Sequence, residues 1–417
     1  MIEAVLAMTL VVVLVALVDP APGLLVLGAV LAMTLSRSRL VDSWRGRLES
    51  VVVLPVIGLL TAGVAALLAA QPIIGAIAFT AAMFLSVWLR RFGPTWRRIG
   101  SLVALPFTTL LIAPVQPGSV AAWQAALVSL VALVVVVAVR MLGALVWHRE
   151  VAAPEEPGPP GTMRPSPSTR MASQLAAAVA AAFVLGFWLF PQHWAWVVLT
   201  AYLVSSGNRG RADVLYKSGL RVLGAAAGSL AAFALVGVHL EGPPLVAVVI
   251  GAVAIGLVLR SLSYAFWALI VTLALTVLQA GLGAQPVELW PRVLAIVVGA
   301  ACGVLASWVI LPIRSEGVLR KRIAAVLAAL DAMVTDGMPR PALTPIDEVA
   351  PPFVALTRAP FAPERWRRAG EWVLLLRQIA PREIPQAALP ELRAARKSLR
   401  EPAEIAPALR ALLARLP

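Results

Sequence analysis

From Met1 to Leu311 the chain alternates long apolar runs with short polar joints. About twenty apolar residues in α-helix match the roughly 30 Å hydrocarbon core of a bilayer. Twelve such runs can be placed, at about 2–18, 23–35, 50–70, 73–89, 99–113, 121–140, 172–190, 194–206, 222–240, 244–259, 264–282 and 290–311. The joints are of two kinds. Tight proline turns, such as Asp19-Pro20, Gln71-Pro72 and Pro114 to Gly118, alternate with arginine-rich connectors, such as 37–47 and 90–98. Residues 148–171 are rich in Pro, Gly and Ser, show no periodicity and read as a linker. Beyond Pro312 the pattern changes. Leu319, Ile323, Val326, Leu327, Leu330, Met333 and Val334 make an apolar stripe at helical spacing, and Trp366, Ala369, Val373, Leu376 and Ile379 make a second.

The pattern predicts an all-α, polytopic helical membrane protein. About twelve transmembrane helices form two parallel six-helix halves, 1–147 and 172–312. The tail, 313–417, reads as a small cytoplasmic helical domain, packed on itself or on a second subunit of a homo-oligomer. Composition agrees, because the chain is 60% hydrophobic and 13% charged, where a soluble domain carries about a quarter charged residues. A net charge of +14 in a soluble protein would suggest nucleic acid. Here it lies on one side of the membrane. Numbering the joints alternately, one set holds Arg37, Arg39, Arg45, Arg47, Arg90, Arg91, Arg97, Arg98, Arg140, Arg149, Arg164, Arg170, Arg209, Arg211, Lys217, Arg221 and Arg260, and the other holds Arg292 alone. That asymmetry puts both termini in the cytoplasm of an inner or plasma membrane and removes the reason to expect a nucleic-acid partner. Arg320-Lys321-Arg322 suits anionic lipid headgroups, or a solvated face beside the membrane. Cys302 is alone in an apolar run, so no disulfide or thiolate metal site is expected. The first run has no basic region before it, so no cleavable signal is expected either.

The runs repeat. Pro20 and Pro191 follow equivalent apolar runs, and Gln116-Pro117 and Gln285-Pro286 are equivalent turns 169 residues apart. Within the second half an offset of 71 superposes Trp196 on Trp267, Arg221 on Arg292 and Gly228 on Gly299, and brings Thr200 within one residue of Thr272. Three runs separate the copies, so they lie upside down relative to each other, as in the inverted repeats of many transporters.

Trp196-x-x-x-Thr200, a basic connector and then Arg221-x-x-Gly224-x-x-x-Gly228 resemble the fusaric acid resistance (FUSC) family. That family includes the bacterial aromatic acid exporters and is similar to the plant aluminium-activated malate channels. Thr272, Arg292, Gly299 and Leu311-Pro312 fit the later part of its pattern. Ala225 stands where the family has a threonine. The resemblance implies export of small, often aromatic, carboxylic acids.

These residues also suggest a site. An anion crossing a bilayer needs a counter-charge to offset dehydration. Arg221 and Arg292 each read as opening a helix, where the dipole adds positive potential, at opposite mouths of one route. Seen alone, Arg221 also reads as a positive-inside anchor, and Arg292 as a snorkelling residue paired with Glu288. Gly224, Gly228, Gly299 and Gly303 form small-x-x-x-small pairs for close helix packing. The short eighth run makes Trp194, Trp196, Thr200, Tyr202, Ser205 and Ser206 candidates for substrate contact, with Thr272 as the partner of Thr200. The alternatives are an interfacial aromatic belt for the tryptophans and back-bonding to the helix for the threonines. For proton coupling the outer turns offer Asp19, His193, His239, Glu241 and Glu288. No phosphate loop is present, since Lys217-Ser218 lacks the preceding glycine. His148, His193 and His239 have no metal-ligand spacing, and no catalytic Ser/His/Asp arrangement appears. The expectation is therefore a secondary exporter of small organic anions, not an enzyme, driven by the proton gradient and needing no cofactor. Lipids are its other expected partners, and the sequence specifies no periplasmic adaptor. An anion channel of the malate-channel type and a membrane-anchored scaffold working through its tail are the other readings.

Overall fold

A computed structural model describes residues 2–18, 22–36, 44–112, 122–146, 166–234, 242–260, 262–281, 289–357 and 362–417. The turns at Asp19-Pro20, Gln116-Pro117 and Gln285-Pro286, the residues Arg37, Arg39, His148, His239, Glu241 and Glu288, and most of the linker lie outside this set. Every regular element among the described residues is helical. Up to residue 311 they are α1 (Ile2–Val18), α2 (Pro22–Leu35), α3 (Trp44–Ala70), α4 (Pro72–Trp88), α5 (Pro94–Ile112), α6 (Ala122–Val146), α7 (Pro167–Leu189), α8 (Trp194–Ser205), α9 (Arg211–Ala234), α10 (Gly242–Leu259), α11 (Tyr264–Gly281) and α12 (Leu289–Val309). Each apolar run thus forms one helix. Local chemistry sets several ends. Pro72 and Pro167 sit in first turns, where the missing N–H has no helical partner to lose. The Ser166 hydroxyl accepts from the Thr169 N–H at 3.3 Å, an N-cap. The far end of α12 is capped across the fold, where Gln174 Nε2 on α7 donates to the carbonyls of Ile310 at 2.9 Å and Leu311 at 3.2 Å.

Five helices are long and apolar enough to cross a membrane: Arg47–Ala70, Pro72–Phe92, Trp123–Gly143, Pro167–Leu189 and Leu289–Val309. At most half of any of these spans is buried inside the protein. The remainder is apolar surface facing outward, which a bilayer covers and water does not. α1, α2, α5, α8, α10 and α11 are apolar but contribute shorter stretches. Several buried hydroxyls among the described residues of these helices bond to a backbone carbonyl in the preceding turn, as Thr61 does to Ile57 and Thr276 to Thr272, so they cost little in hydrocarbon.

The two sequence halves share one compact unit, Met1–Ser206 with Lys217–Leu311. One core joins α1, α2, α3, α5 and α6 around Leu31, Leu54, Ala132 and Val136. Another joins α4 and α5 of the first half to α7, α8 and α12 of the second. Phe79 sits at its centre, edge-on to both Phe107 and Phe183.

The second unit comprises Gly207–Tyr216 and Pro312–Pro417. It holds α13 (Ser315–Asp336), α14 (Thr344–Asp347), α15 (Pro351–Thr357), α16 (Glu364–Ile379), α17 (Leu389–Ser398) and α18 (Ile405–Ala414). The two predicted stripes face each other here. Leu319, Ile323, Leu327 and Leu330 are buried with Trp366, Val373, Leu376 and Ile379 in one core, closed by Ile405, Leu409 and Leu412. This domain recruits residues that the sequence pattern assigned to a connector. The Ala212 N–H donates to Ser315 Oγ at 3.0 Å, and Arg209 pairs with Glu348 at 3.1 Å.

Candidate functional site

Arg221 does not open its helix. α9 starts at Arg211, so Arg221 is about 15 Å along the axis, beyond the first turn where the dipole acts. The reason is local. Residues 211–217 read as a basic connector, yet Ala212, Asp213 and Val214 are all buried, so the segment is packed into the fold as helix. Arg292 keeps its expected place in the first turns of α12.

Both guanidinium groups are withdrawn from the surface, with Arg221 1% exposed and Arg292 2% exposed. Neither is a headgroup anchor or a snorkelling side chain. Arg292 lies within electrostatic range of Arg221. The Arg292 guanidinium carbon sits 3.7 Å from the centroid of the Trp196 ring, a cation–π contact. Trp196 is itself buried and is not part of an interfacial belt, unlike the exposed Trp123, Trp188 and Trp290. On each arginine Nε and Nη2 are buried without a hydrogen-bond partner. Guanidinium keeps its proton in proteins, so both groups carry charge.

Glycines bring the supporting helices together. A Cβ on Gly299 of α12 would lie 2.3 Å from the Val197 carbonyl oxygen and 3.0 Å from Thr200 Cβ on α8. A Cβ on Gly228 of α9 would lie 2.4 Å from the Leu269 carbonyl oxygen and 3.1 Å from Thr272 Cβ on α11. Gly224 meets the Ala265 carbonyl in the same way, and Gly303 meets Val204 and Ser205. All four glycines lie at close approaches between helices. The pairing is crosswise: α12 locks onto α8 and α9 onto α11, through residues equivalent at an offset of 71 or 72. Thr200 and Thr272 are fully buried, and their hydroxyls make no hydrogen bond. They are not back-bonded, in contrast to Thr276. Two arginines and two threonines thus present unmet donors inside an apolar bundle.

Tyr202 is buried on α8 and lies within electrostatic range of Arg90, from the 3-10 turn that ends α4. Tyr264 of α11 stands similarly near Arg221. Sequence reasoning passed over both contacts. Arg90 was one of four arginines that the positive-inside pattern explained equally well, and Tyr264 had no motif around it. Trp194 stacks on Phe183 and belongs to the core. The Ser205 hydroxyl is buried without a partner, and Ser206 bonds the Leu203 carbonyl. Of the coupling candidates, His193 precedes α8, and Asp19, His239, Glu241 and Glu288 lie outside the described residues. No cluster of His, Cys, Asp and Glu among the described residues could hold a metal ion.

Helices long and apolar enough to cross a membrane, with two arginines buried among them, define a multi-pass membrane protein. The segment that carries the arginines defines it more closely: residues 176–306 match the family model described as fusaric acid resistance protein-like. The resemblance read from Trp196, Thr200, Arg221, Gly224 and Gly228 therefore holds, and this is a family of transporters, not of enzymes. No curated protein matches the chain.

Proposed function

We propose that the protein is a secondary exporter of small organic, foremost aromatic, carboxylic acids, driven by the proton gradient across an inner or plasma membrane. One observation carries the reading: Arg221 and Arg292 are buried together, charged, and without acceptors for Nε and Nη2. A desolvated charge left unpaired costs several kcal/mol, and a passing carboxylate supplies the missing partner. The guanidinium fork matches a carboxylate in two hydrogen bonds. Trp196, already under Arg292, offers an aromatic face beside it, and Tyr202, Thr200 and Thr272 offer hydroxyls. The twelve-span topology with both termini inside belongs to this reading, as does an inverted repeat in the second half, supported by the crosswise glycine contacts.

Efflux of benzoate from proteoliposomes, at equal protein abundance, tests the proposal. Arg292→Gln and Arg221→Gln should each abolish flux, and lysine should restore it only in part, because an ammonium lacks the fork. A protonophore should stop concentrative export. Full benzoate flux in the Arg292→Gln protein overturns the counter-charge role. Conductance that survives the protonophore favours the channel reading instead.

A further inference from the structure

The site described above must also exist when no organic acid is in it. A lysine or histidine could meet that state by losing its proton, since burial disfavours the charged form. Arginine has no such exit. Arg221 and Arg292 are each at least 98% buried, repel one another and leave four nitrogen atoms without acceptors. The Trp196 face attracts only one of the two. The hydroxyls of Thr200 and Thr272 are unpartnered as well, and each can donate. Six buried donor atoms on four helices, four of them in two charged groups, describe a site that is incomplete without an anion.

We propose that this site is never empty: between turnovers it holds a small inorganic monovalent anion of the chloride class, and the organic acid enters by displacing it. This rests on the exporter reading for the identity of the second ligand, but the resident anion follows from the arginines alone. It makes chloride both a structural ligand and a competitor of the cargo. α8 pairs with α12 and α9 with α11, and Trp196, Ala225, Leu275 and Ala295 of the four helices share one core, so a bound anion ties them together.

The test uses the purified full-length protein in detergent, with chloride raised from near zero and osmolarity held by sorbitol. The thermal midpoint of the wild type should rise saturably with chloride. The rise should be lost in Arg221→Gln and in Arg292→Gln, and kept in part in Arg221→Lys. Should the glutamine variants not fold, equilibrium dialysis of the wild type against radiolabelled chloride decides, with saturable stoichiometric binding that benzoate displaces as the expected result. A wild-type midpoint no more chloride-dependent than that of the variants, or no saturable chloride binding, overturns the proposal. Benzoate efflux that needs both arginines but ignores chloride removes the resident anion and leaves the exporter reading intact. Chloride binding lost with either arginine, in a protein that moves no benzoate, does the reverse.

Discussion

Placing a methyl group at Gly299 probes the joint on which the site depends. The added Cβ would sit 2.3 Å from the Val197 carbonyl oxygen, where ordinary contact begins near 3.4 Å. The obstruction is backbone, so no rotamer change relieves it, and α12 must move away from α8 by about 1 Å. Overpacking of this kind costs about 1–3 kcal/mol, which at about 2–4 °C per kcal/mol lowers the thermal midpoint by roughly 2–12 °C. The same displacement draws Arg292 off Trp196, now 3.7 Å away, so benzoate flux should fall further than protein abundance does. Gly228→Ala, with 2.4 Å to the Leu269 carbonyl, should behave alike on the α9–α11 side. Gly219→Ala, in open space on α9, is the control, and it should leave the midpoint unchanged or raise it, since alanine favours helix over glycine by about 1 kcal/mol. The comparison is read by fluorescence melting in detergent and by flux per reconstituted protein. A Gly299→Ala protein as stable and active as Gly219→Ala refutes the interlock.

Further outcomes follow from the same geometry. Thr200→Val and Thr272→Val remove buried hydroxyls that bond nothing, so each should keep or gain stability, by up to about 1–3 kcal/mol, while lowering benzoate flux; unchanged flux would exclude the hydroxyls from the path. Gln174→Leu leaves the carbonyls of Ile310 and Leu311 without the donor they now have and should cost about 1–3 kcal/mol, seen as a lower thermal midpoint. Cysteines placed at Gln71 and Gln192, both exposed, should react with an impermeant thiol reagent in whole cells, and cysteines at Ser168 and Met338 should not; labelling at Ser168 from outside breaks the parallel-halves topology. Ser315 is an unsuitable reporter, because it is buried and bonded to Ala212.

The helices were legible because hydrocarbon-length apolar runs leave little ambiguity, and α1, α4 and α8 match their runs within a residue or two. α9 was read too short for a definite reason. Its first turn buries Ala212 in the tail domain's own core, and a run judged by hydropathy alone looks like a basic connector there. The same error moved Arg221 to a helix start. The site residues were visible as a motif, but the burial of both arginines in one place was not, because a repeat offset gives equivalence and no distance. Arg90 could not be separated from its neighbours Arg91, Arg97 and Arg98, since a charge count treats all four alike. Crosswise pairing was beyond reach for a similar reason. Gly-x-x-x-Gly says that a helix will be approached closely and does not say by which partner.

That crosswise pairing sets what can exist as an independent piece. Segment 194–234 carries the glycine row of α9 but covers the row of α12, and segment 264–309 carries the row of α12 but covers that of α9. Neither segment can close its own seam. Each is a template for the other, as the two strands of a clasp are, and a protein holding only one of them would expose a bare backbone groove along a helix that the bilayer cannot fill. When the two segments are produced as separate chains they should assemble with each other in preference to with themselves.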